Sequence, residues 1–292
     1  MKTRIISGVV MAIMVASVLF LGLNVKYGSY IILGFLVLVS AIGVYELVTN
    51  AAKIRNMILR VLSAVYAGAM TFFISSWLVS LIKVFGKETD GIELNYDEVF
   101  TYPLVAIILS VIYFIGCAVF ILARQEEFDL AKISTLCAMP LFYAFGFSTL
   151  GSIIVATGGI YYLLLILNFA CVCDMGAYFV GVKFGKTKLC PAISPKKTVE
   201  GAIGGIVSSV LVSLIILLVF KRYDKMFATL LLTVPLCVAG MAGDLFASVI
   251  KRKTDIKDYG NLIPGHGGVL DRVDSILFTS PLVICLLMLG VI

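Results

Sequence analysis

The sequence predicts an all-α, polytopic membrane protein with about nine transmembrane helices, on three observations. Of its 292 residues 61% are hydrophobic and 14% charged, against about 45–50% and about 25% in soluble domains. Its mean hydropathy is +1.10. The apolar residues also fall in long uninterrupted runs, and about 20 such residues cross ~30 Å of hydrocarbon at ~1.5 Å per residue. A chain this apolar cannot cover its own surface in water, so lipid must cover it. The runs lack the alternation of a membrane barrel. That leaves helices, which satisfy their own backbone groups in lipid.

The runs lie near 5–23, 28–48, 61–82, 101–122, 134–156, 159–182, 199–220, 226–250 and 276–292. The first follows Lys2 and Arg4 as in a signal sequence. No small-residue cleavage site follows it, and Asn24-Val25-Lys26 leads straight into the second run, so it reads as a retained anchor. Lys and Arg in short loops mark the cytoplasmic side. With the N-terminus inside, only Lys26, Lys83, Lys87, Lys221, Arg222 and Lys225 of the 23 Lys and Arg residues fall outside. The acidic 83–100 loop, with Glu88, Asp90, Glu93, Asp97 and Glu98, falls outside too. Lys221-Arg222 is the pair that sits against the rule.

The expected setting is therefore the cytoplasmic (inner) membrane, with the N-terminus and active site cytoplasmic. Basic loops facing anionic lipid account for the formal charge of +6 and call for no nucleic acid. The seven cysteines (Cys117, Cys137, Cys171, Cys173, Cys190, Cys237 and Cys285) form no C-x-x-C pair and read as packing residues, with Cys190 the accessible one.

Charge is nearly absent from the spans up to about residue 160, Glu46 near a span end excepted, and polar groups gather from Asp174 onward. The division expected is a transmembrane scaffold over 1–125 and a transmembrane catalytic region over 126–292. Charges at membrane depth cost about 2.5–3.5 kcal/mol each on insertion scales, so each needs a partner or a function. Asp174 lies inside an apolar run and Asp244 near the inner end of the eighth. An aspartate paired with a lysine between helices is the plainer alternative for both. Asp244, Ser248, Lys251 and Arg252 have the spacing of one helix face. A solvated charged face explains the cations but not Asp244.

Pro264-Gly265-His266-Gly267-Gly268 follows, with glycines that permit a tight turn and close approach to a ligand. Successive N–H groups in such a turn can cradle phosphate. Asp271, Arg272 and Asp274 come next, the two carboxylates at i and i+3 of a helix start. Carboxylates with phosphate oxygens suit Mg²⁺, whereas a lone histidine without cysteines does not make a zinc site. A Gly-rich connector with capping aspartates is the alternative, and it leaves the density of Lys, Arg, His and Asp unexplained. Ser194-Pro195-Lys196-Lys197-Thr198 is a second phosphate candidate, with Ser194 as N-cap, Pro195 in the first turn and two lysines beside a helix N-terminus. A basic cluster for lipid head groups is its alternative. Gly201, Gly204 and Gly205 beyond it serve close helix packing. Gly185-Lys186-Thr187 lacks the first glycine of a Walker loop, and no G-x-G-x-x-G occurs.

The run Ser248-x-x-Lys251-Arg252-x₄-Lys257-Asp258-x-Gly260-x-x-Ile263-Pro264-x-His266-Gly267-Gly268-x-x-Asp271-Arg272-x-Asp274 resembles the signature of the phosphatidate cytidylyltransferases, or CDP-diacylglycerol synthases. Asp174-x-Gly176-Ala177-Tyr178, Ser194-Pro195-Lys196-Lys197-Thr198 and Gly243-Asp244 also resemble that family. The likeness is specific over about 170–275 and only hydropathic before it. One departure is Ala247, where many members carry Glu. The resemblance implies a reaction of CTP with phosphatidate in the membrane, giving CDP-diacylglycerol and pyrophosphate in phospholipid biosynthesis. It also admits a homodimer.

On this reading Asp244 and Asp271 hold Mg²⁺, with Asp174 and Asp274 as further metal candidates. Lys251, Arg252, Lys257, Asp258, His266 and Arg272 are the catalytic candidates, His266 in a positional role. Ser194, Lys196, Lys197, Thr198, Ser248, Gly267 and Gly268 bind substrate. A membrane transporter of an anionic substrate is the rival class, since broken helices and buried charges mark transport sites too. It predicts charge pairs at the midplane. Here the charges lie at inner span ends and inner loops. The Asp-Gly-x-x-Ala-Arg element of CDP-alcohol phosphotransferases is absent.

Overall fold

A computed structural model describes residues 2–85, 96–157 and 160–292. Glu88, Asp90 and Glu93 of the expected outer loop lie outside the described residues. Among the described residues ten α-helices run α1 Lys2–Asn24, α2 Gly28–Glu46, α3 Met57–Phe85, α4 Tyr96–Ala123, α5 Leu130–Thr157, α6 Ile160–Leu167, α7 Cys173–Phe184, α8 Val199–Val219, α9 Met226–Lys253 and α10 Asp274–Met288. Eight spans among the described residues are long and apolar enough to cross a membrane, with α6 and α7 forming a single span. The chain is an integral membrane protein.

The ninth run yields a helix of only 15 residues. It stops because Gly290 takes φ 66, and the Gly290 and Val291 amides bond back to Leu287 O and Leu286 O. A left-handed glycine closing the last carbonyls is a common helix terminator.

One feature departs from the all-helical expectation. Lys188–Cys190 (β1) and Ser194–Thr198 (β2) pair as a short antiparallel hairpin ahead of α8. Ser194 is thus a strand residue and not the N-cap. The cap is Thr198, whose hydroxyl accepts the Gly201 N–H at 3.1 Å. Pro195 cannot stand in the first helical turn because the chain is still extended there. Cys190 is half-buried in the hairpin, while Cys171 and Cys285 face outward from apolar helices. All seven are free.

The chain divides into two compact units. One comprises Met1–Gly158 with Thr254–Arg272, the other Gly159–Lys253 with Val273–Ile292. In the first, α3 packs against α2, α4 and α5, and α1 against α2. Its polarity is arranged as lipid demands. Leu104, Ile107, Ile112 and Ile115 of α4 face outward, while Thr71, Ser75, Ser148 and Ser152 are buried. Between α3 and α5, Ser75 donates to Ser148 O at 3.0 Å, Ser148 to Thr71 O at 3.2 Å and Ser152 to Ser75 O at 3.2 Å. Small hydroxyl residues let two helices approach closely and supply bonds that lipid cannot.

In the second unit α8 packs against α7 and α9, and α9 against α10. The glycine face of α8 meets α7 as expected. A Cβ on Gly205 would stand 2.5 Å from Cys173 O, and one on Gly201 2.7 Å from Ala177 O. The α6–α7 span is interrupted by a π-helical turn over Asn168–Val172. Asn168 there donates to Ser209 O at 3.0 Å and to Ser213 Oγ at 2.9 Å on α8. Such turns re-aim the residues that follow them, and the next carboxylate along is Asp174.

Candidate active site

Two clusters hold the residues singled out above, one in each unit. In the second unit Asp174 enters from the start of α7, Lys197 from β2, Asp244 from α9 and Asp274 with Ser275 from the start of α10. Lys197 Nζ lies 2.5 Å from Asp244 Oδ2 as an ion pair, the side chains 24% and 29% exposed. The ammonium is shielded from solvent yet donates no well-directed hydrogen bond among the described residues. Asp244 is therefore paired with a lysine that the hairpin and not a neighbouring helix carries, and that lysine is one of the two assigned to phosphate.

Ser275 Oγ donates to Asp174 Oδ2 at 3.3 Å. Lys197 and Asp244 act electrostatically on Asp174, and Asp244, Lys251 and Asp174 act on Asp274. Three carboxylates and two lysines thus share one neighbourhood, where the anions repel one another and a cation relieves them.

Backbone packing fixes the spacing of this cluster. A Cβ on Gly243 would stand 2.8 Å from Asp274 O and 2.9 Å from the Phe278 ring. That glycine lets α9 and α10 close up beside Asp244 and Asp274. Helix α9 continues to Lys253, so Asp244, Ser248, Lys251 and Arg252 do stand on one helix, with Arg252 exposed. At the other end of the hairpin Glu200 accepts the Lys186 and Thr187 amides at 3.1 Å, closing β1 and β2 over the start of α8. Lys196 on β2 is exposed. Thr198 is buried and spends its hydroxyl on the cap.

The first unit holds the loop between α9 and α10. Its middle is a tight turn with Gly265 at φ 77 and Gly267 at φ 88, conformations that favour glycine. The Ile263 and Gly267 backbones bridge across it. Asp271 does not share a helix with Asp274. It sits in a 3₁₀ turn over Leu270–Arg272, and Val273 (φ −125, ψ 0) separates that turn from α10. Its Oδ2 instead accepts the amides of Tyr259 at 2.8 Å and Gly268 at 2.9 Å. The carboxylate folds its own loop. Asp258 and Asp271 flank Gly267, each within 3.1 Å of where a Cβ would stand. His266 Nδ1 is 2.8 Å from Ser7 Oγ, and Ser7 also donates to Pro264 O at 2.9 Å. Lys257 and Arg272 are exposed.

The sequence profile of the cytidylyltransferase family matches residues 2–289. The chain belongs to the cytidylyltransferase family. Among curated proteins, the phosphatidate cytidylyltransferase of Bacillus subtilis is 49% identical over 132 residues, 44% of this chain and 49% of that protein. That of Staphylococcus saprophyticus is 42% identical over 129 residues, 44% of this chain and 50% of that protein. The phosphatidate cytidylyltransferase of Staphylococcus aureus is 43% identical over the same length and shares. The chain spans about half the length of the curated relatives it matches.

For a member of this family, the reading from residues alone missed Ser7, Glu46, Asn50 and Ser275. Ser275 has no signal of its own in the sequence. Glu46 had one, as the charge that falls inside the early apolar runs, near the end of the second, and a charge there asks for a partner. Among the described residues, no three His, Cys, Asp or Glu side chains close around a metal position. Mg²⁺ needs no such cage. It binds through one or two carboxylates and keeps waters or substrate phosphates on its other positions, and the carboxylates of this cluster are oxygen donors of the kind it prefers.

Proposed function

We propose that the chain is a phosphatidate cytidylyltransferase of the cytoplasmic membrane, joining CTP and phosphatidate into CDP-diacylglycerol with release of pyrophosphate. The observation that carries this reading is the Lys197–Asp244 pair, with Asp174, Asp274 and Lys251 acting in the same neighbourhood. Both substrates are polyanions, and one is a lipid whose head group stays at the interface. In the reaction a phosphate oxygen of phosphatidate attacks the α-phosphorus of CTP, and the bond to the pyrophosphate oxygen breaks. A phosphate monoester is already ionised near neutral pH, so no strong base is required.

One or two of Asp174, Asp244 and Asp274 would hold Mg²⁺, which when bound neutralises charge on phosphate oxygens. Lys197 turns from Asp244 to a phosphate oxygen as substrate enters, leaving the carboxylate free. Lys251 lies beside the same anions, Lys196 and Arg252 offer further cations to phosphate in the second unit, and Lys257 and Arg272 are the cations at the ends of the first unit's loop. Gly267 and Gly268 belong to the substrate-binding loop, with His266 positional. Asp271 is assigned to shaping that loop, on its two bonds to backbone amides. Residues 126–292 carry catalysis in this proposal.

The test is conversion of radiolabelled CTP into lipid by the purified protein with phosphatidate. Label should appear in lipid, vanish with excess chelator and return with Mg²⁺. CTP-independent accumulation of an anion in vesicles, with no labelled lipid, would place the chain among transporters instead. Full activity in excess chelator would remove the metal.

A further inference from the structure

Glu46 lies more than 200 residues from the Gly-rich loop in sequence, in a half of the chain that otherwise reads as scaffold. The residue is only 8% exposed. Its Oε2 accepts the Val269 amide at 2.8 Å, and the Leu262 amide is a second donor. Two loop glycines stand against it. A Cβ on Gly260 would overlap Oε1, and one on Gly268 would come within 2.6 Å of Oε2. Neither glycine has a positive φ. At Gly260 the carboxylate fills the space a side chain would need, and at Gly268 it shares that space with the Gly260 backbone N, also 2.6 Å away.

The contact sits where α2 passes into a π-helical turn over Leu47–Ala51. From that turn Asn50 donates to Tyr259 O at 2.7 Å. Tyr259 itself is fully buried. A buried carboxylate stays only where its oxygens are bonded, and here every named donor is an amide of the loop.

We propose that Glu46 is a positioning residue for the substrate-binding loop, holding residues 260–269 in the turn that presents Gly267 and Gly268. Asn50 secures the loop's entry. This deepens the reading of the loop as substrate-binding and rests on that reading for its kinetic consequence, though not for its structural one.

The experiment uses the full chain in nanodiscs and compares Glu46→Gln, Glu46→Ala, Gly260→Ala and the double variant Glu46→Ala/Gly260→Ala. The first readout is amide exchange. Losing a bond from a buried charged acceptor should speed exchange over 259–269 by about tenfold or more in Glu46→Ala, with less in Glu46→Gln, which keeps an acceptor. The transmembrane helices should keep their protection. Gly260→Ala should loosen the loop similarly. The double variant should be no worse than either single change, because removing the carboxylate removes the overlap.

The second readout is kinetic. The KM for CTP should rise about tenfold in Glu46→Ala, the scale of one charge-assisted bond. A lesion that only lowers the folded fraction lowers apparent kcat and leaves KM in place. Unchanged loop exchange in both Glu46 variants overturns the proposal, as does additive loosening in the double variant. Loosened exchange with unaltered KM retains the contact and overturns its role in presenting the substrate site. Absence of CTP-to-lipid activity in the unmodified chain overturns the enzymatic reading, while exchange still decides the contact.

Discussion

Replacing Asp244 by Asn separates the stability of the second-unit cluster from its chemistry. The substitution keeps the size of the side chain and removes one charge from a pair at 2.5 Å. At an effective dielectric of about 20 the gross attraction across that distance is about 6–7 kcal/mol. Most of it offsets the desolvation of the two groups. Breaking a fully buried pair costs about 3–5 kcal/mol, and an exposed one is worth about 0–1 kcal/mol. Exposures of 24% and 29% put this pair between those limits, so we expect a cost of about 1–3 kcal/mol and a folded protein. Turnover should fall by about 10²-fold or more, the scale of losing one preorganised electrostatic contact.

Lys197→Met should destabilise the protein similarly, by leaving the carboxylate alone. The double variant Lys197→Met/Asp244→Asn strands no charge. Its loss of stability should fall short of the sum of the two single losses by about 0.5–3 kcal/mol, with no return of turnover. Melting in detergent and the CTP-to-lipid assay measure the two effects. Full turnover and unchanged Mg²⁺ dependence in Asp244→Asn would refute the assignment of the metal to Asp244. Strict additivity of the stabilities would refute Lys197 as its partner.

Cysteines introduced across 83–100 should react with an impermeant thiol reagent from outside, whereas those in 186–197 or 253–265 should not. Outside labelling of 253–265 would reverse the orientation and the cytoplasmic site with it. Asp271→Asn weakens the acceptor for the Tyr259 and Gly268 amides, and should cut turnover about tenfold or more as the loop loosens. Asp255→Asn is its control, because Asp255 has φ 56 and Asn tolerates that conformation well. Equal losses in both variants would mean that any change in this loop is damaging and that Asp271 has no special part.

Hydropathy alone determined the class and nearly every span of this protein, because burial in lipid selects long apolar helices from composition without regard to neighbours. The residue pattern from Ser248 to Asp274 also marked the polar region, since charges near a membrane are too costly to occur by accident. The glycine face of α8 was legible for the same local reason, a small residue recurring at helical spacing. Tertiary structure decided which charges meet. Sequence spacing put Asp271 and Asp274 on one helix face, but Val273 breaks the helix and Asp271 bonds its own loop. Ser-Pro suggested a helix start at Ser194, but strand pairing with β1 keeps the chain extended to Thr198. Glu46 was visible as a lone charge and its partner was not. The amides that hold it belong to a loop more than 200 residues away, and only the folded chain sets that distance to a hydrogen bond.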